Sequence, residues 1–167
     1  MVLSNIILIS LKVLFIRIMS TTNHSVRGSF IVIEGLDKSG KSSQCQRILQ
    51  MFNKANIPAI LTGFPDRKTK IGNLLNEYLQ FKTTAQDESI HLLFSANRWE
   101  KMAWIQNQLE NGISVICDRY SYSGVAYAAA KGLNFDWCHL ADDQLISPDI
   151  IVFIEVPQVT IALNIYI

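Results

Sequence analysis

The chain has 167 residues, of which 49% are hydrophobic and 17% charged, and its net charge is +1. This is apolar material for one sizeable core and one domain, and so even a charge gives no support to a nucleic-acid or anionic-membrane surface. Cys45, Cys117 and Cys138 are odd in number and lack C-x-x-C spacing, which argues against a disulfide framework or a metal site and for small buried residues in a reducing compartment.

The first stretch stands apart. "VLSNIILISLKVLFIRI" is apolar, but Lys12 and Arg17 divide it into pieces shorter than the roughly 18–20 residues of a membrane span. No acidic residue precedes Glu34, and Lys12, Arg17 and Arg27 make the segment basic, which suits an organelle-directing leader. Against that, Met19, followed by polar residues, looks like an ordinary start next to the first core strand. A mis-assigned upstream start, a mitochondrial leader and, least of the three, a membrane anchor stay open. Residues 1–28 are set apart from a folded domain over 29–167, which is expected in the cytoplasm or nucleus, or in mitochondria if residues 1–26 are a leader.

From Phe30 the punctuation is regular. "FIVIEG" is a short β-branched run ended by glycine, as in a strand buried on both faces. Cys45, Ile48, Leu49 and Phe52 then recur at i, i+3, i+4 and i+7, the apolar stripe of a helix. A second strand is expected at Ala59–Gly63, which Pro65 prevents from continuing. Helical stretches follow around Ile71–Leu79, Glu88–Trp99 and Met102–Glu110, the last stopped by Asn111-Gly112. "ISVICD" (113–118) and "DIIVFIE" (149–155) read as further buried strands, with a helix near Ser123–Lys131 between them. Strands alternating with helices predict an α/β fold, a parallel sheet covered on both faces, whose ligands bind beyond the carboxyl ends of the strands. Gly35, Phe64 and Asp118 sit at three such ends.

The turn after the first strand reads "EGLDKSGKSS" and fits the phosphate-cradling spacing G-x-x-x-x-G-K-[ST] from Gly35 to Ser42. Gly35, Leu36, Asp37, Lys38, Ser39, Gly40, Lys41, Ser42 and Ser43 form the expected nucleotide loop, whose glycines let backbone N–H groups face an anion. Lys41 is placed to reach β- and γ-phosphate oxygens and Ser42 to ligate Mg²⁺. Asp37 would be repelled by phosphate, so it faces a neutral hydroxyl of a second substrate or pairs with a cation. Lys38 adds charge that can stabilise a transferred phosphoryl group, unless Asp37 and Lys38 are merely a solvated pair.

Three further segments carry polar chemistry. "FPDR" (64–67) places Arg67 past a strand end, where a guanidinium can fork onto phosphate or simply sit exposed. "DRYSYSGVAY" (118–127) places Asp118 for a metal's hydration shell and Arg119 as a second phosphate clamp, or the two as a structural ion pair. "HLLFSANRW" (91–99) spaces Phe94 and Arg98 four apart on one helix face, which suits stacking on a base and reaching its carbonyl edge, or core plus surface.

Taken in this order and spacing, "EGLDKSGKSSQ", "FPDR", "IGNLLNEYLQ", "HLLFSANRWE", "DRYSYSGVAY" and "FDWC" resemble eukaryotic-type thymidylate kinase (dTMP kinase) from about residue 29 to residue 156. The resemblance implies a P-loop nucleoside-monophosphate-kinase fold, ATP and dTMP as substrates, Mg²⁺ as cofactor and a homodimer. It gives Asp37 the deoxyribose 3′-hydroxyl, and Arg67 and Arg119 the dTMP phosphate. Phe94 and Arg98 take the thymine, and Tyr127 takes the space beside the sugar's 2′ carbon. Phe64 and Gly124 join this substrate set, while Lys38, Lys41, Asp118 and Arg119 are the catalytic candidates and Ser42 and Asp118 the metal candidates. Lys38 stands where eukaryotic members usually carry arginine; it keeps the charge and loses the planar fork. After Glu155 the chain reads "VPQVTIALNIYI" and stops, whereas the family continues, so the lid and last strand are expected to be lacking. The alternative to an enzyme is then a nucleotide-binding remnant with little turnover.

Overall fold

The computed structural model describes residues 27–156, and its centre is strand β1, Phe30–Gly35, buried along its whole length. Segments 1–26 and 157–167 lie outside the described residues, and with them the expectations of a leader or early start and of a lacking lid and last strand. Arg27 and Gly28 are already tied to the domain: the Arg27 guanidinium donates to Asp149, and the Gly28 N–H donates to the Leu109 carbonyl.

Strands β2 (Ala59–Gly63), β3 (Ser114–Asp118) and β4 (Ile150–Ile154) join β1 in one sheet of order β2-β3-β1-β4, and every pairing is parallel. The connection after β1 runs toward the β2 edge and the connection after β3 runs to β4 on the other side of β1. The crevice between the carboxyl ends of β1 and β3 is therefore a switch point, the place where open α/β sheets bind ligands.

Successive β1 side chains alternate between two cores. Phe30 and Val32 pack with Val115, Cys117 and helix α4 (Met102–Glu110) on one face. Ile31 and Ile33 pack with Ile116 and helix α1 (Lys41–Lys54) on the other, through Cys45, Ile48 and Phe52. Full burial of such apolar side chains contributes about 1.5–3 kcal/mol each, which is why these strands read as continuous apolar runs. The three cysteines are free and buried, as their sequence context suggested, and burial pushes the Cys45 thiol up to about 12.

Helices α2 (Lys70–Leu79), α3 (Asp87–Trp99) and α5 (Ser121–Ala130) stand over the carboxyl ends of the strands. A short helix α6 (Phe135–Leu140), capped by the Asn134 side chain on the Trp137 N–H, was not expected, because six residues show no helical period. Helix α5 begins two residues before its sequence signal. Its cap comes from another strand: Glu34 accepts from the N–H groups of Tyr120 and Ser123 at 2.9 and 3.2 Å. A buried carboxylate at a helix N-terminus satisfies orphan donors and opposes the positive end of the helix dipole.

Candidate active site

A cavity of about 850 Å³ opens at the switch point, walled by the loop after β1, the segments after β2 and β3, and helices α2, α3 and α5. Asp37, Lys38, Gly40, Lys41, Ser42, Ser43, Phe64, Arg67, Phe94, Arg98, Asp118, Arg119, Gly124 and Tyr127 all line it. Gly35, Leu36 and Ser39 lie outside that lining.

The loop is built by unusual backbone. Gly40 has φ 87°, and Lys38 adopts φ 61° despite its Cβ. Left-handed backbone at a residue other than glycine costs roughly 1–3 kcal/mol and persists where surrounding structure imposes it. Helix α1 starts at Lys41, so its free N–H groups and positive dipole end face the cavity. Lys41 is a buried residue, and its ammonium donates to the Leu36 carbonyl across the loop. Burial lowers its pKa from the usual lysine value, Arg119 adds to this, and the carboxylates of Asp118, Asp37 and Glu34 oppose it.

The two oxygen ligands suggested for a metal meet. Ser42 Oγ donates to Asp118 Oδ2 at 2.5 Å, joining the first turn of α1 to the end of β3. Two such oxygens suit Mg²⁺, which takes few protein ligands and completes its shell with water and phosphate oxygens.

Arg119 follows directly and is also left-handed, with φ 67°. Its N–H is held by the Ile33 carbonyl at 3.0 Å. The guanidinium is split between two partners: Nη2 donates to Asp37 Oδ1 at 2.5 Å, and Nη1 donates to Ser123 Oγ at 2.8 Å. Ser123 Oγ in turn donates to Glu34 Oε2 at 2.6 Å. The Tyr127 hydroxyl donates to Asp37 Oδ2 at 3.2 Å, and its ring lies 5.7 Å from the Arg119 guanidinium carbon. Asp37 thus pairs with a cation, as one of its two readings proposed, but the cation is Arg119 rather than the adjacent Lys38. Burial pushes the Tyr127 phenol above its usual value.

Arg67 makes no ion pair with another described residue and is presented to the cavity by a loop fastened from behind. Asn97, wholly buried on α3, accepts from the Asp66 N–H at 2.7 Å and donates to the Asp66 carbonyl at 3.2 Å. Lys101 pairs with the Asp66 carboxylate. Phe94 and Arg98 share the cavity face of α3 as their spacing implied, but Arg98 is held from behind by Asp142 of the turn after α6. Sequence reasoning passed over Glu34, Ser123, Asn97 and Asp142, whose partners lie far along the chain and create no local spacing. A second polar group stands at the cavity rim, where Lys131 donates to Asp87 Oδ1 at 2.5 Å and to the Tyr78 hydroxyl at 2.6 Å.

Among the described residues no helix is long and apolar enough to cross a membrane. The family model for thymidylate kinase matches residues 33–164. The thymidylate kinase of Arabidopsis thaliana is 47% identical over 130 residues, which is 78% of this chain and 49% of that protein. The thymidylate kinase of Schizosaccharomyces pombe is 48% identical over 130 residues, covering 78% of this chain and 62% of that protein. The chain thus spans about half to two thirds of these relatives' length. A solved structure of thymidylate kinase from Candida albicans, an enzyme of broad substrate specificity, superposes with a TM-score of 0.73 at 40% identity, covering 81% of this chain and 66% of that one.

Proposed function

Because this chain belongs to the thymidylate kinase family, we propose that it transfers the γ-phosphoryl group of ATP to dTMP, giving ADP and dTDP. The observation that carries the reading is the convergence on one cavity of a phosphate loop, a Ser42–Asp118 oxygen pair and two arginines, Arg67 and Arg119. The first two are chemistry for a donor nucleotide, and the arginines are chemistry for an acceptor phosphate.

In this mechanism an oxygen of the dTMP phosphate forms a bond to the γ-phosphorus as the bond to the β,γ-bridging oxygen breaks, and ADP departs with that oxygen. The protein supplies position and charge rather than covalent chemistry. Loop N–H groups and Lys41 hold the donor phosphates, and Lys38 offsets charge on the group in transit. Arg119 and Arg67 turn the acceptor oxygen toward it. Phe94 stacks on the base, Arg98 donates to its carbonyl edge, Asp37 accepts from the 3′-hydroxyl, and the Tyr127 ring crowds the place of a 2′-hydroxyl. Ser42 and Asp118 would hold Mg²⁺, whose charge would offset that of the donor's phosphates. A homodimer completes the reading that the family resemblance implies, and sedimentation velocity checks it.

A coupled ADP-release assay on the chain tests the transfer. Release that requires dTMP and stops on chelation of Mg²⁺ is expected. Retained dTMP binding with no dTMP-dependent release would overturn the transfer reading and leave a binding protein.

A further inference from the structure

Arg98 and Asp142 form the most enclosed ion pair among the described residues, with side-chain exposures of 2% and 3%. Arg98 Nε donates to Asp142 Oδ1 at 3.1 Å and Nη2 donates to Oδ2 at 2.5 Å. A two-pronged contact of this kind fixes the plane of the guanidinium as well as its position. The carboxylate is itself anchored, because Ser95 Oγ, one turn earlier on α3, has Asp142 Oδ1 as its nearer acceptor at 2.7 Å and the Ala141 carbonyl at 2.9 Å.

With Nε–H and one Nη2–H committed, the N–H groups left over belong to Nη1 and the outer position of Nη2. They lie against Gly124 on α5, where a Cβ would stand 2.8 Å from Nη2 and 3.0 Å from Nη1. Arg98 and Gly124 both line the cavity. Glycine at 124 therefore leaves room for the guanidinium itself in the cavity wall. Those groups can only donate, so they require an acceptor opposite them.

We propose that Asp142 is a specificity-determining positioning residue, which locks the Arg98 guanidinium so that its uncommitted N–H groups donate to a pyrimidine carbonyl and refuse an exocyclic amine. The inference rests on the dTMP reading above. Thymine offers an oxygen at that edge and cytosine offers an amino group, which would set donor against donor. In a buried site that mismatch leaves both sides unpaired, and a site built for a hydrogen bond rejects the analogue lacking it far more strongly than an apolar pocket rejects a change of size. An arginine without its carboxylate can turn aside and tolerate the amine. Asp142 also offsets a cation that burial would otherwise disfavour.

The test compares dissociation constants for dTMP, dCMP and ATP, measured by calorimetry on the full chain and on Asp142→Asn, with far-UV circular dichroism as the check on folding. Asp142→Asn is expected to lower the preference for dTMP over dCMP by about tenfold or more, with ATP affinity unchanged. A folded variant that keeps the same dTMP-to-dCMP ratio, even with both affinities reduced, overturns the proposal, since uniform weakening is what a purely structural residue produces. If Asp142→Asn does not fold, Ser95→Ala decides. It removes one of the bonds that anchor the carboxylate while leaving both charges in place, and is expected to lower the ratio by about threefold; an unchanged ratio overturns the proposal. An unmodified chain that binds dTMP and dCMP alike, or neither, overturns the dTMP reading itself and the inference with it.

Discussion

Arg119 Nη2 and Asp37 Oδ1 stand 2.5 Å apart, so the arginine offered to the acceptor phosphate and the carboxylate offered to its sugar are partners of each other. Asp37 is 79% exposed, and an ion pair open to water contributes only about 0.2–1 kcal/mol. Substrate phosphate can therefore take over the arginine with little resistance, leaving the carboxylate free to accept from a hydroxyl.

For Asp37→Asn this gives a result that depends on the ligand. The Michaelis constant for dTMP should rise about tenfold, the scale of a hydrogen bond to a charged acceptor. With the 3′-deoxy analogue of dTMP the same variant should lose nothing further. Steady-state kinetics with both ligands separates the two roles, and an equal loss with each would remove Asp37 from the sugar.

Lys41 is a buried cation whose pKa is lowered, first by burial and then by Arg119. A base depressed in the folded state weakens folding wherever it is charged in both states. That cost is full below the folded value and vanishes above the unfolded value of 10.5. Lys41→Met should abolish turnover yet leave the melting temperature at neutral pH equal to or above that of the unmodified chain. The gap should close as pH approaches 10.5, and thermal melts across that range check it.

Asp66 carries the opposite sign. Its hydrogen bond from Lys101 is the largest influence holding the carboxyl below its usual value of 3.8. The stability it contributes is present above that unfolded value and is lost as pH falls through the folded one. Asp66→Asn should thus be less stable than the unmodified chain at neutral pH, with the difference shrinking below 3.8 in urea-unfolding series. Because Asp66 fastens the loop that carries Arg67, the Michaelis constant for dTMP should also rise while that for ATP stays.

The sheet and the donor loop were legible because their causes are local. "FIVIEG" announces a strand buried on both faces, and Gly40 supplies the backbone that lets Lys41 open a helix. What stayed hidden was the scaffolding behind the cavity. Glu34 meets Ser123 across 89 residues, Asn97 meets Asp66 across 31, and Arg98 meets Asp142 across 44. Such pairs exist only once the chain is folded, and no periodicity records them. The spacing of Phe94 and Arg98 identified the shared face correctly, but it carried no sign that the arginine would be sunk beneath the surface and tethered from behind.

All four strands run the same way, and the sheet consequently has two unlike rims. At the carboxyl rim sit the left-handed Lys38 and Arg119 and the Asp37–Arg119 ion pair, all beside the cavity. At the amino rim Asp149 binds the Phe30 N–H at 2.7 Å and the Arg27 guanidinium at 2.6 Å, and Gly28 fits against the Ile113 carbonyl with no room for a side chain. Inherited variation arriving at one rim would be felt as less protein in the cell, and at the other as altered chemistry from the same amount. The direction of the strands thus divides the molecule into a half that can drift only in its durability and a half that can drift in what it recognises.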